Sequence, residues 1–262
     1  NIIDLDNGLR CLKEFNEPTS IIIKHTNACG VASARNIYNA FIKSYESDNK
    51  SAFGGVILLN KKVDVKLADR INKHFFELVA APDYEKIALN ILKRKKNLII
   101  IKLPIIKKNL LDYKSTLFGD LYQKNDLLVI NKTFIKLASI KKAKRKELND
   151  LIFSLKIVKH LKSNAIVLTK DKQTIGLGSG QTNRIDALKS AIKNKKLYFG
   201  NKSFVCASDG FFPFTDSISL LNKNKCKVIA QPSGSISDFK VINYAIKQKI
   251  SLYFIKNRLF KH

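Results

Sequence analysis

Four short segments hold residue types that could do chemistry. The first is Lys24-His25, which follows a β-branched run, Ile21-Ile-Ile23, and precedes Thr26-Asn-Ala-Cys-Gly30. An imidazole can accept a proton near neutral pH, and a neighbouring ammonium favours the neutral, accepting ring. Side chains alternate faces along a strand, so two neighbours share a pocket only where the backbone turns; Asn27 and Gly30 suit such a turn. A lone histidine is more often structural, and that reading stands beside the catalytic one. The second segment, Gly176-Leu-Gly-Ser-Gly180 followed by Gln181-Thr-Asn-Arg184, brings backbone close to something before a helix. It matches neither the dinucleotide fingerprint nor a Walker loop, so a tight turn in close packing is an equal reading. The third, Ser208-Asp-Gly-Phe-Phe-Pro-Phe-Thr-Asp216, is either a buried aromatic plug or a wall for a flat ring, with Asp216 at a helix start to receive its hydrogen bonds. The fourth, Pro232-Ser-Gly-Ser235, is either a simple helix start or an anion cradle of backbone amides.

The elements that must position these segments alternate in type. The pattern predicts a strand at 21–23, a turn, a helix over about 31–44, a strand at 54–59, a helix at 65–76, and strands at 78–81 and 98–103. A second series follows: an amphipathic helix at 148–161, a hairpin of 165–169 with 174–177, a helix at 184–193 and a strand at 204–207. After the 208–216 loop come a helix at 217–222, a strand at 228–230, a loop at 231–237 leading into a helix, and a last strand at 251–255. Strands alternating with helices define an α/β class. No linker rich in Pro, Gly or Ser interrupts the chain, so two tightly joined lobes are expected, 1–138 and 139–262.

The chain has 262 residues, 45% of them hydrophobic, and no apolar run reaches the eighteen or so needed to span a membrane; charges interrupt candidates such as 97–104. No signal peptide is recognisable, and a soluble, cytoplasmic protein is expected. Methionine is absent even at position 1, so a fragment or processed domain is expected. Cys11, Cys29, Cys206 and Cys226 are scattered without a Cys-x-x-Cys pair, which argues for reduced thiols rather than a disulfide scaffold or zinc ribbon. A net charge of +27 points first to nucleic acid, but seven arginines against forty-one lysines, spread along the chain, fit solvated faces better. A positive field also attracts small polyanionic substrates. A charge-driven nucleic-acid module would show steeply salt-dependent binding.

The segments IIIKHTNACGVA, SAFGGVI, LKSNAIV, TIGLGSGQTNRIDA, SDGFFPFTDSI, QPSGSISD and RLFKH, in this order from end to end, resemble the transformylase domain of the bifunctional purine-biosynthesis family. The resemblance implies a cytidine-deaminase-like fold present twice, and a homodimer with active sites between subunits. It implies formyl transfer from 10-formyltetrahydrofolate to the 5-amino group of aminoimidazole carboxamide ribonucleotide. Some members carry a structural potassium ion, and in larger members an inosine monophosphate cyclohydrolase domain precedes this one. The deaminase metal motif is missing, so no catalytic zinc or other metal ligand set is expected.

Position by position, the resemblance implies catalytic roles for Lys24, His25 and Asn164. It implies nucleotide contacts at Gly54, Glu77, Arg184, Arg258 and Phe260, and folate contacts at Phe211, Asp216, Ser233 and Gln181. The chain departs from the family's usual pattern at Ala28, Gly210 and Thr215, where proline, alanine and arginine are common. The family's Arg-Tyr-Gly segment, whose arginine helps hold the substrate phosphate, lies upstream of Asn1. A folded remnant that binds the ribonucleotide or dimerises without turnover is the other reading of the same resemblance.

Overall fold

The computed structural model describes residues 1–103 and 111–261; Pro104 and His262, which end two of the segments read above, lie outside them. The first half runs α1 (Ile2–Leu12), β1 (Thr19–Lys24), β2 (Asn27–Ser33), α2 (Ile37–Ser47), β3 (Val56–Leu59), α3 (Val65–Asn72), β4 (Leu78–Ala81), α4 (Lys86–Lys93) and β5 (Ile99–Lys102). A separate two-stranded hairpin, β6 (Leu111–Thr116) and β7 (Gly119–Lys124), and the short β8 (Ile135–Leu137) follow. The second half runs α5 (Arg145–Val158), β9 (Ile166–Lys170), β10 (Gln173–Gly178), α6 (Arg184–Phe199), β11 (Phe204–Ser208), α7 (Asp216–Lys223), β12 (Cys226–Pro232), α8 (Asp238–Lys247) and β13 (Ser251–Ile255). The two halves therefore repeat one order of elements: helix, hairpin, then three helix-strand steps.

The expected α/β class is the one found. Eleven strands form one mixed sheet in the order β5-β4-β3-β1-β2-β10-β9-β11-β12-β13-β8. In each half the hairpin's first strand pairs antiparallel with the third strand, and the last three strands run parallel. The halves meet hairpin to hairpin at the single pair Gln173↔Ala32. There the Thr174 hydroxyl both receives the Val31 N–H at 3.0 Å and reaches the Val31 carbonyl at 3.2 Å. A side chain thus completes a ladder that the backbones only touch.

Alternation along β1 divides its apolar residues between two layers. Ile21 and Ile23 join a core shared by α1 and α5, while Ile22 packs into the α2–α4 layer. The α6–α8 layer covers the second half of that face. Burying each such side chain contributes about 1.5–3 kcal/mol, and the core shared by α1 and α5 welds the halves together.

One expectation needs correction. Residues 27–33 form a strand rather than a turn, and α2 starts at Ile37, not near 31. The reversal lies earlier, at His25 and Thr26, with φ of 52° and 64°, leaving Lys24 paired with Asn27. Gly30 then lies so close under α2 that a Cβ would come within 1.9 Å of the Ser44 carbonyl oxygen. Gly176 lies the same way under α6, 2.2 Å from the Ala191 oxygen. The second segment's first two glycines, Gly176 and Gly178, therefore serve strand-helix packing, the blander of the two readings.

Candidate active site

Strand directions bring distant residues to one edge of the sheet. Pairing places the end of β1 beside the starts of β3 and β4, through Ile23↔Val56 and Val56↔Leu78. Across the joint, the end of β10 and the start of β9 lie at this same edge, next to the ends of β11, β12 and β13. The strand ends, loops and helix starts at this edge hold Lys24, His25, Gly54, Glu77, Asn164, Gln181, Arg184, Phe211, Asp216, Ser233, Arg258 and Phe260.

The first group gathers around Lys24. Its Nζ donates to the Phe53 carbonyl at 2.7 Å, which leaves further ammonium N–H groups for a ligand. Gly54 follows with φ of 72° and donates its N–H to the Phe75 carbonyl. A Cβ on Gly54 would meet the Phe75 ring at 3.5 Å and Glu77 Oε1 at 3.8 Å. Lys24, Gly54 and Glu77 are thus brought together, flanked by the exposed Phe53 and Phe75 rings 5.1 Å apart.

His25 is exposed, and its ring has no hydrogen-bond partner among the described residues. Its backbone is held instead: the His25 and Thr26 N–H groups donate to Asp4 Oδ2 and Oδ1 at 3.1 and 2.5 Å. Left-handed φ on residues other than glycine costs about 1–3 kcal/mol each, so this turn needs an outside support. A cavity of about 470 Å³ opens beside it over the joint of the halves; Lys24, His25, Asn27, Asp48, Thr174 and Ser179 are among its lining residues.

The second group is a hydrogen-bonded network around Arg184. One guanidinium donates to Asn164 Oδ1 at 2.7 Å, Ser208 Oγ at 3.1 Å and Asp209 Oδ1 at 3.0 Å. Burial acts against the charge of Arg184 and holds its pKa below the ordinary value, with Asp209 offsetting only part of the effect; the Arg184 side chain is 10% exposed and that of Asp209 fully buried. Asn164 in turn donates from both its backbone N–H and Nδ2 to the Gln181 carbonyl at 3.1 and 2.9 Å. Gln181 acts here through its carbonyl, with its side chain exposed. Two guanidiniums lie near the Phe260 ring, Arg184 at 5.9 Å and Arg258 at 5.8 Å from its centroid, and Arg258 also covers Phe211 at 5.2 Å.

The aromatic loop divides the two readings given to it: Phe212 is fully buried as a plug, whereas Phe214 is 68% exposed. Asp216 and Ser233 stay exposed on the same edge without joining the network. Asp216 Oδ1 receives the Ser217 N–H, and the Ser233 N–H donates to the Ile255 carbonyl. In the Pro232–Ser235 segment the Gly234 amide already donates to Asp238 Oδ2 at 2.8 Å, which favours the helix start over an anion cradle. The two groups do not share the cavity, for neither Asn164 nor Arg184 lines it. Their link is Ser179 Oγ, 3.0 Å from Asn27 Oδ1 and 3.1 Å from the Lys162 carbonyl.

One functional candidate, Asp4, escaped the sequence reading, and Asp209 stood inside the 208–216 segment without a role of its own. The side-chain partners of both lie 21 to 46 positions away. Among the described residues no group of three or more His, Cys, Asp or Glu side chains could hold a metal ion, and no helix is long and apolar enough to cross a membrane. All four cysteines are unpaired, and burial pushes the Cys29 thiol up to about 12.

Fold and site define an α/β protein in which one unit is used twice and the chemically capable side chains collect at a single sheet edge. Residues 1–194 match the family described as AICARFT/IMPCHase bienzyme. The chain belongs to that family. It is similar to the bifunctional purine biosynthesis protein PurH of Caldicellulosiruptor bescii, at 46% identity over 264 residues. The PurH proteins of Acetivibrio thermocellus and of Buchnera aphidicola subsp. Baizongia pistaciae are 45% and 44% identical over 268 and 270 residues. Each match covers the whole chain and 51, 51 and 50% of the relative; the chain spans about half the length of these curated relatives.

Proposed function

We propose that this chain carries the formyl-transfer activity of a purine-biosynthesis enzyme: 10-formyltetrahydrofolate gives its formyl group to the 5-amino group of aminoimidazole carboxamide ribonucleotide. Family membership supports the reading, and one observation carries it. Lys24, His25, Gly54 and Glu77 lie at the same sheet edge as the Asn164–Arg184 network and the Arg258–Phe260 stack.

The substrate amine is a feeble nucleophile, since its lone pair is drawn into the imidazole ring and toward the carboxamide. His25, with its ring unencumbered, accepts the proton lost as the C–N bond forms, directly or through the carboxamide; general bases contribute about 10²–10⁴-fold. Negative charge builds on the formyl oxygen. The spare N–H groups of Lys24 and the second N–H of the Asn164 amide are its donors, each contributing roughly 3 kcal/mol. The departing folate nitrogen then takes up a proton. Arg258, Arg184 and Phe260 offer charge and a flat face to the nucleotide, while Phe211, Asp216 and Ser233 lie where the folate is to be oriented.

Two copies of the chain would complete the site, with the Lys24 group of one facing the Asn164 group of the other. The separation of the cavity from Asn164 and the exposed Phe53, Phe75 and Phe214 support this. The repeated order of elements supports a cytidine-deaminase-like fold in each half, 1–138 and 139–262. For the potassium ion that the resemblance implies in some members, the adjacent oxygens of Ser163, Asp209 and Lys261 do not offer a fitting set, because Asp209 is paired with the Arg184 guanidinium and the Lys261 carbonyl receives the Ser163 N–H.

The test is folate-dependent formylation of the ribonucleotide by the full-length protein and its His25→Ala and Lys24→Ala variants. Each substitution is expected to lower kcat by about a hundredfold or more. Unchanged turnover in both overturns the assignment.

A further inference from the structure

We propose that Asp4 is a positioning residue for this site, its carboxylate holding the turn that carries His25. The inference rests on the formyl-transfer reading above. Asp4 lies in the first turn of α1, and its two oxygens take the N–H groups of the successive residues His25 and Thr26. Both residues are left-handed, at φ of 52° and 64°. Two adjacent amides aimed the same way form a concavity that favours an anion. Because the His25 ring has no partner of its own among the described residues, its location follows from the backbone, and the backbone from Asp4.

The support is itself anchored. In the turn just past α1 the Glu14 carbonyl accepts from Lys156 Nζ at 2.6 Å, and the Glu14 carboxylate meets Lys159 Nζ at 3.0 Å. A helix fixed to α5 in this way can hold a turn within the few tenths of an ångström that reaction geometry demands. A misplacement of about 1 Å costs roughly a hundredfold in rate.

The second half contains the same device without the chemistry. Asp150 of α5 receives the Asp171 N–H on Oδ2 at 2.9 Å and the Lys172 N–H on Oδ1 at 2.8 Å. In both halves the turn lies 21 and 22 positions after the carboxylate, and the second turn is also left-handed, with φ of 53° and 52°. That turn points to the opposite edge of the sheet, where the Lys172 carbonyl accepts from the Ser33 N–H. The clamp belongs to the repeated unit, and only the copy beneath His25 acts on the reaction. Asp150 therefore separates a stabilising role from a positioning one.

The experiment measures kcat, KM and the thermal midpoint for full-length Asp4→Ala, Asp4→Asn, Asp150→Asn and His25→Ala proteins. Asp4→Ala is expected to lower kcat by about a hundredfold while KM for the ribonucleotide stays near wild type. Asp4→Asn, which keeps one acceptor oxygen, should fall between the two and is decisive if the alanine variant does not fold. Asp150→Asn should lower the thermal midpoint and leave kcat at wild type. Wild-type kcat in both Asp4 variants, or kcat losses in the Asp150 and Asp4 variants that simply follow their loss of stability, overturns the inference. Those results with an inactive His25→Ala protein sink only the role of Asp4; an active His25→Ala protein sinks the base itself.

Discussion

Arg184 ties together residues from four parts of the chain, giving N–H groups to Asn164, Ser208 and Asp209 while lying against Phe260. A guanidinium can do this because its donors sit in a rigid planar fork, which the single ammonium of lysine cannot reproduce. Gly210 allows the close approach: a Cβ there would fall 2.2 Å from Arg184 Nη2. Asp209, with no exposed side-chain surface, also accepts from the Ser163 hydroxyl and supplies the carbonyl that receives the Leu259 N–H. Removing one partner of a buried pair strands the other charge. Asp209→Ala is expected to cost about 3–5 kcal/mol of stability, read by urea unfolding, and to release Asn164 from its orientation. A loss below about 1 kcal/mol would mean that water reaches Arg184 and that the network does not hold the site.

Among the elements, α1 works hardest for its length, since it supports the His25 turn at one end and reaches α5 at the other. Its junction with α5 is sensitive to acid. Burial opposes the charge on Glu14, but the hydrogen bond with His160 at 3.1 Å and the Lys159 ammonium outweigh it, so the Glu14 pKa lies below its ordinary 4.5. Burial outweighs the Glu14 bond at His160, so that ring titrates below its ordinary 6.5 and is neutral at pH 7, giving Glu14 an uncharged N–H. Both shifts have the same sign, because both folded pKa values are lower than the unfolded ones. The His160 contribution is complete above about 6.5 and declines as the pH falls through that value; the Glu14 contribution is complete above about 4.5 and is lost below it. Thermal midpoints measured from pH 7.5 to 5 should fall less steeply for His160→Asn than for wild type. Parallel curves would show that His160 does not set this dependence.

At the scale of the whole chain, the two halves repeat one order of elements and join hairpin to hairpin, and that joint decides which groups share an edge. Because β2 and β10 run antiparallel, the β1–β2 turn of one half and the strand ends β11–β13 of the other share an edge. Each half by itself offers its turn and its parallel strand ends at opposite edges, so the antiparallel joint is what brings the two groups to one edge. If two copies complete each site, His25→Ala and Asn164→Ala proteins, each inactive alone, should recover activity on mixing, up to about a quarter of wild type when subunits reassort at random and the sites act independently. No recovery between variants shown to exchange subunits would place both groups of a site in one chain. The +27 charge is carried mainly by dispersed lysines, and the Arg258 guanidinium lies against the Phe211 and Phe260 rings.

Much of this architecture could be read from local pattern. Short apolar runs marked β1, β3, β4, β5 and β9, and the hairpin at 165–177 was legible because its two strands flank polar turn residues. Nor did the Lys24-His25 pair, the aromatic loop or the Arg184 segment need coordinates to stand out. Strand β2 did, because Asn27–Ser33 contains one β-branched apolar residue, and pairing on both sides overrides its weak propensity. Helices α1 and α4 were missed among dense charges, where an apolar stripe carries the only signal. What only the tertiary structure decided was partnership. Asp4 is an ordinary acid in the sequence and Asp209 an unassigned one within the aromatic segment; both become candidates because strand order sets a particular turn or guanidinium beside them. Periodicity is a property of neighbours along the chain, whereas the end of a strand acquires its company from the sheet, and the candidate chemistry of this protein lies at strand ends.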